Sequence, residues 1–213
     1  MNNTFPTEGN LSGLSRKDFQ KEINNKETDL FILKNKKGME VAVTNYGCAI
    51  LAIMVPDKDG KYANVVLGHD SIDHVVNSPE PFLSTTIGRY GNRIKDAAFE
   101  INGQTFSLDK NDNGNCLHSG SAGFDKRIWD VEQPDDEHLI LRLTDQDGEG
   151  GFPGTLDVTV RYSIEQNVFR VIHEATCDKA THVNLTQHPY FNLKPDDENI
   201  GNHELHLYSQ RYL

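Results

Sequence analysis

The stretch from Thr181 to Leu193, THVNLTQHPYFNL, ends an apolar, β-branched run on a histidine followed by proline and two aromatic residues. An imidazole with a reference pKa of about 6.5 gives and takes protons at neutral pH, which makes His188 a candidate acid or base. A hydrogen-bonded histidine at a strand end is the plainer alternative. Pro189 restricts the neighbouring backbone, and Tyr190 adds a hydroxyl beside the ring. A second group, GRYGNRIKDAAF, sets Arg89 and Arg93 four residues apart around Gly91 and Asn92. A guanidinium is a rigid fork of donors that, next to Asn92, could grip vicinal hydroxyls; a solvated basic face is the competing reading. In NCLHSGSAGFDKRIWD, His118 sits among small residues that let a ligand approach the backbone. Trp129 in the same stretch is either a platform for the C–H face of a sugar or ordinary core.

Spacing argues against other chemistries. The loop DGEGGFPG, Asp147 to Gly154, matches neither G-x-G-x-x-G nor G-x-x-x-x-G-K-[ST] and reads as a structural turn. His203 and His206 of HELH lie in a strand-like run, where residues three apart face opposite sides, and His182 and His188 lack a Cys or carboxylate at ligand spacing. No G-x-S-x-G elbow occurs, and Cys48, Cys116 and Cys177 sit in apolar contexts. Neither metal nor cofactor is expected.

The elements that must hold these residues are short and extended. DLFILKN, MEVAVTNYGCAILAIMVPD, NVVLGHD, HLILRLTD, LDVTVRYSIE and VFRVIHEATC are rich in β-formers, and several alternate with period two. Asn102-Gly103, flanked by Phe99, Ile101, Phe106 and Leu108, predicts a hairpin. Helical period is weak, confined to SRKDFQKEI and SIDHVVN. The expected fold is all-β, a sandwich of antiparallel strands over residues 15–213 behind a loosely held arm of residues 1–14. NHELHLYSQRYL alternates like a strand and then stops without a turn or polar tail. A sandwich incomplete at its C-terminus is therefore expected, with an edge open to association; oligomeric state stays open.

The chain has 213 residues, 36% of them hydrophobic and 17 of them glycine, enough for a core with many turns. A formal charge of −11 without a basic cluster disfavours nucleic acid, whereas a neutral ligand is indifferent to such a field. No run approaches the roughly 18 apolar residues of a membrane span, and the start has neither a basic end nor an apolar core like a secretory signal. An odd cysteine count without C-x-x-C suits a reducing compartment, so a cytoplasmic protein is expected, and the sequons at Asn2, Asn10 and Asn184 read as chance matches.

Taken singly these signals leave function open, but their order is informative. GRYGNRI, LHSG, GFDKRIW, DGEGGFPG and VNLTQHPYFNL together resemble the aldose 1-epimerase family, also called galactose mutarotases, from about Ser15 to Leu213. The resemblance implies a large antiparallel β-sandwich that interconverts the α and β anomers of free hexoses such as galactose and glucose, without cofactor or metal. It implies that His188 protonates the ring oxygen, that His118, Arg93 and Asn92 hold sugar hydroxyls, and that Tyr190 borders the pocket. His118 is a second catalytic candidate, able to polarise the ring oxygen. Two departures stand out. Ser119 replaces a common glycine and is expected to add a hydroxyl at the pocket edge. The family's general-base glutamate and a further sugar-binding aspartate belong to a later segment, and neither Glu198 nor Glu204 matches the base motif. A non-catalytic sugar-binding module is therefore the alternative. An enzyme of sugar phosphates is a third reading, weakened because only Arg89, Arg93, Lys126 and Arg127 could serve as a cation cluster.

Overall fold

The computed structural model describes residues 9–194 and 199–211. In chain order it contains strands β1 (Lys21–Ile23), β2 (Lys26–Thr28), β3 (Leu30–Lys34), β4 (Glu40–Thr44), β5 (Ile50–Pro56) and β6 (Tyr62–Asn64), then helix α1 (Ile72–Val76). There follow β7 (Thr86–Ile87), β8 (Arg93–Ile94), β9 (Ala98–Ile101), β10 (Gln104–Ser107) and β11 (Cys116–Leu117). The last are β12 (Asp130–Asp135), β13 (His138–Asp145), β14 (Leu156–Glu165), β15 (Val168–Cys177) and β16 (Thr186–Gln187). The all-β antiparallel expectation is met.

Two four-stranded antiparallel sheets, in the orders β3-β4-β5-β6 and β12-β13-β14-β15, carry the core. On β14, Leu156, Val158, Val160, Tyr162 and Ile164 are buried while Asp157, Arg161 and Glu165 are exposed. Period-two alternation puts the first set on one face. They share one apolar cluster with Leu139, Leu141 and Leu143 of β13 and with Leu33, Val41, Val43, Ile50 and Ile53 of the other sheet. Fully burying each such side chain is worth about 1.5–3 kcal/mol. Every residue of β4 is buried, because its outer face is covered too: Ala42 packs with Phe19, Ile72 and Val75. The stretch around Phe19, weakly helical by period, forms a single 3-10 turn (Arg16–Asp18) and leads into β1, whereas SIDHVVN does form a helix, α1.

The β9–β10 hairpin forms as its sequence predicts. Asn102 and Gly103 take φ of 53° and 79°, both positive as a type I′ turn requires, and Phe99 lies opposite Phe106 with ring centroids 5.4 Å apart. Within the segment expected to be a loose arm, the amides of Leu11 and Ser12 donate to the Glu40 carboxylate at 2.9 and 3.0 Å; residues 1–8 lie outside the described residues.

The strand expected in NHELHLYSQRYL does not form among its described residues. Leu205 and Tyr208 are 83% and 96% exposed. Alternation creates a strand only where a neighbouring edge accepts its backbone groups, and this segment pairs with none of the described strands. Among the described residues no helix is long and apolar enough to cross a membrane.

Candidate functional site

Three pairings of minimal length bring distant segments to one place. In β7–β16, Thr186 lies opposite Ile87 and Gln187 opposite Thr86. In β8–β11, Leu117 lies opposite Arg93. Tyr90 and Asn184 form an isolated parallel bridge. The loop from Gly88 to Arg93 thereby faces both the His118 turn and the strand end at His188. Gly88 is required by space: a Cβ there would sit 2.2 Å from Phe124 Cδ2 and 2.7 Å from Leu185 Cδ2.

Arg89 and Arg93, equivalent candidates in the sequence, have opposite fates. Arg89 is 1% exposed, its Nε and Nη2 donating to Asp145 Oδ2 at 2.9 and 2.8 Å and its Nη1 to Pro153 O at 2.9 Å. It does not line the cleft; it ties the site loop to the end of β13 and to the glycine-rich turn. Arg93 remains largely exposed beside the cleft, with Nε donating to Asp112 Oδ2 at 2.6 Å. Trp129 is 1% exposed, packed edge-on against Phe124 in the core, and is no sugar platform.

Asn92 and His118 are zipped together. The amide of Asn92 donates to His118 Nδ1 at 2.9 Å, and the amide of His118 donates to Asn92 O at 3.1 Å. His118 and Ser119 both occupy the left-handed region, at φ of 54° and 64°. Such conformations cost roughly 1–2 kcal/mol each in non-glycine residues. Ser119 helps offset this, its hydroxyl accepting from the Tyr90 amide at 2.8 Å and reaching Tyr90 O at 3.4 Å. The expectation that Ser119 offers a hydroxyl to the pocket is thus corrected: the side chain is buried and used by the backbone of the facing loop.

Aromatic rings make one wall. His118 lies edge-on to Phe82 at 4.6 Å and to His188 at 5.6 Å, and His188 lies 5.2 Å from Tyr190. Burial, then the neighbouring His188, then the Arg93 cation push the His118 pKa down to about 4. A ring that is neutral at pH 7 and accepts at Nδ1 carries its hydrogen on Nε2, so His118 presents a donor. Burial, the Glu80 charge and a hydrogen bond to Glu80 raise the Tyr190 phenol above its usual range. Asn92, Arg93, His118, His188 and Tyr190 all line one open cleft of about 680 Å³, together with Glu80, Phe82, Leu117, Asn184 and Thr186. That is within the size range of small-molecule sites. Sequence reasoning missed Glu80 and Phe82, which lie in SPEPFLSTT, a stretch without motif. Glu204 is exposed and does not line the cleft, and Glu198 lies outside the described residues. A second cavity of about 430 Å³ beside Ile101, Phe106 and Phe152 has Asp147 and Lys179 as its charged lining groups, already paired to each other.

A protein-family profile described as aldose 1-epimerase matches residues 29–213. The aldose 1-epimerase of Escherichia coli (strain K12) is 36% identical over 185 residues, 86% of this chain and 53% of that protein. The galactose mutarotase of Homo sapiens is 35% identical over 176 residues, 82% of this chain and 51% of that protein. The chain thus spans about half the length of the curated relatives it matches. Among solved structures, a GalM/aldose epimerase homologue from C. elegans superposes with a TM-score of 0.75 at 29% identity, covering 78% of this chain and 51% of that one. A galactose 1-epimerase from Lactobacillus acidophilus NCFM gives 0.73 at 32% identity, covering 81% and 51%.

Proposed function

The chain belongs to the aldose 1-epimerase family, and we propose that it carries the acid side of a site that interconverts the α and β anomers of free hexoses, galactose or glucose. Ring opening needs a proton delivered to the ring oxygen while another leaves the C1 hydroxyl. The C1–O5 bond breaks, its electrons take the proton, and the C1 oxygen becomes the aldehyde carbonyl. Rotation about C1–C2 presents the other face, and closure reverses both transfers.

The observation that carries this reading is the commitment of His118 Nδ1 to the Asn92 amide, with the His188 ring 5.6 Å away across the same cleft. It supports a division of labour between two histidines that are otherwise equivalent in chemistry. His118, held neutral, donates from Nε2 and polarises a sugar oxygen, whereas His188 is the acid that protonates the ring oxygen. Arg93 and Asn92 bind hydroxyls from the adjoining loop, and Tyr190 flanks the acid.

A sugar phosphate fits less well, because each candidate cation faces a carboxylate: Arg89 Asp145, Arg93 Asp112, Lys126 Asp125, and Arg127 both Asp145 and Glu149. The alternative is a module that binds hexose without turning it over. Polarimetry of freshly dissolved α-galactose with the chain, a His188→Ala version and a buffer blank tests both. Acceleration lost in the variant supports catalysis by this chain. Galactose binding without acceleration by the folded protein supports the binding module, and neither binding nor acceleration refutes the sugar reading.

A further inference from the structure

The side chain of the residue before His188 makes four polar contacts beneath the cleft. In the extended backbone of β16, neighbouring side chains point to opposite faces. His188 faces the cleft, and Gln187 points into the layer formed by Ser84, Thr86, Cys48 and Tyr162, all of them buried. Gln187 Nε2 donates to Ser84 O at 2.8 Å and lies 3.4 Å from Cys48 O. Its Oε1 accepts from Thr86 Oγ1 at 2.7 Å and lies 2.9 Å from the Tyr162 hydroxyl. The orientation of the amide is unambiguous, since two carbonyls face the nitrogen and two hydroxyls face the oxygen. The single hydroxyl hydrogen of Tyr162 serves either Gln187 or Cys48 O, which is 2.8 Å away.

The network leads straight back to the acid. Ser84, whose carbonyl Gln187 holds, adopts φ of 58° and donates its own amide to His188 O at 3.0 Å. The His188 amide donates to Thr85 O at 3.0 Å, and Ile50 N shares the Ser84 carbonyl at 2.9 Å. One carboxamide therefore joins β7, β14, Ser84 and the turn at Cys48 to the two-residue strand that immediately precedes His188. Among the described strands β16 pairs only with the short β7, so its own ladder is too short to hold the imidazole in one place.

We propose that Gln187 is a positioning residue that fixes the His188 imidazole in the cleft through Ser84. The proposal rests on His188 being the acid described above, and its structural half can be tested without that assumption. Displacement of a proton donor by about 1 Å costs on the order of 10²-fold in rate, and a partial loosening is expected to cost about 10-fold.

The test compares the chain with Gln187→Met, which keeps length and removes every polar contact, Gln187→Glu, which aims a carboxylate at two carbonyls, and Tyr162→Phe, which removes one hydroxyl. Ring proton and nitrogen shifts of His188 and the nuclear Overhauser contacts between the His118, His188 and Phe82 rings report position directly. Polarimetry separates kcat from KM. In folded variants the expected result is displaced His188 ring signals, weakened contacts to His118 and Phe82, and a fall in kcat of about 10-fold with KM changed less than about 3-fold. Tyr162→Phe is expected to give a smaller effect in the same direction, and it carries the test if neither Gln187 variant folds. Unchanged His188 ring signals and contacts in a folded variant would overturn the proposal, leaving Gln187 a stability residue. If the unsubstituted chain does not accelerate anomer exchange, the functional reading fails, while the ring signals still decide whether Gln187 positions His188.

Discussion

Replacing Arg89 by Met should cost the chain about 3 kcal/mol of stability and do so with a distinctive pH signature. Arg89 and Asp145 are both buried, and the guanidinium also satisfies Pro153 O and approaches Thr181 Oγ1 at 3.3 Å over the face of Phe152. Methionine fills much of the volume but leaves the Asp145 carboxylate buried without its main partner. Breaking a buried pair in this way typically costs about 3–5 kcal/mol. The lower end applies, because Arg127 Nη1 remains 3.3 Å from Asp145 Oδ1. Burial already raises the Asp145 pKa, with Arg89 offsetting part of that rise; without Arg89 it rises further. A carboxyl whose folded pKa lies above its unfolded value of about 3.9 loses stability as pH climbs from the unfolded towards the folded pKa. The deficit of the variant should therefore be larger at pH 8 than at pH 5. Urea unfolding followed by tryptophan fluorescence at both pH values reads this as a lower midpoint at unchanged slope, and adding Asp145→Leu should restore part of the loss. A loss below about 1 kcal/mol at pH 8, or a deficit that grows on acidification, would refute the view of Arg89 as an internal clamp.

The low pKa of His118 predicts acid sensitivity of its own. Between the unfolded value of about 6.5 and the folded value of about 4 the unfolded chain binds the extra proton, so this contribution is complete above pH 6.5 and is lost as pH falls towards 4. The full shift corresponds to about 3 kcal/mol, which solvent screening of the half-buried ring reduces to about 1–2 kcal/mol; His118→Gln should flatten that part of a pH–stability curve. Gly88→Ala should destabilise by about 1–3 kcal/mol through overpacking against Phe124 and Leu185, and Phe124→Leu in the same chain should recover part of the loss in thermal unfolding. Asp112→Ala releases the Arg93 guanidinium from an exposed pair, so stability should change by less than about 1 kcal/mol while galactose affinity, read by calorimetry, falls.

What the sequence determined by itself is local. Asn102-Gly103 demands two positive φ angles whatever surrounds it, and the alternation on β13 and β14 sorts their side chains between two faces, so the hairpin and the sandwich core were both legible. The ordered motifs likewise brought Asn92, Arg93, His118, His188 and Tyr190 forward, and the fold lines one cleft with all five. The rest depended on partners far along the chain. Arg89 and Arg93 have the same chemistry, and only contact with Asp145, 56 residues away, makes the first an internal clamp. Trp129 and Ser119 offered a ring and a hydroxyl to any neighbour, and the packing of Phe124 and the backbone of Tyr90 claimed them. Gln187 carries no motif signal of its own, and folding sets it near Cys48, 139 residues earlier. Alternation in HELHLYSQ promised a strand, but among the described residues no edge receives it. Turn chemistry and period are properties of adjacent residues; burial, pairing and protonation state belong to whichever distant groups the tertiary structure brings within a few ångströms.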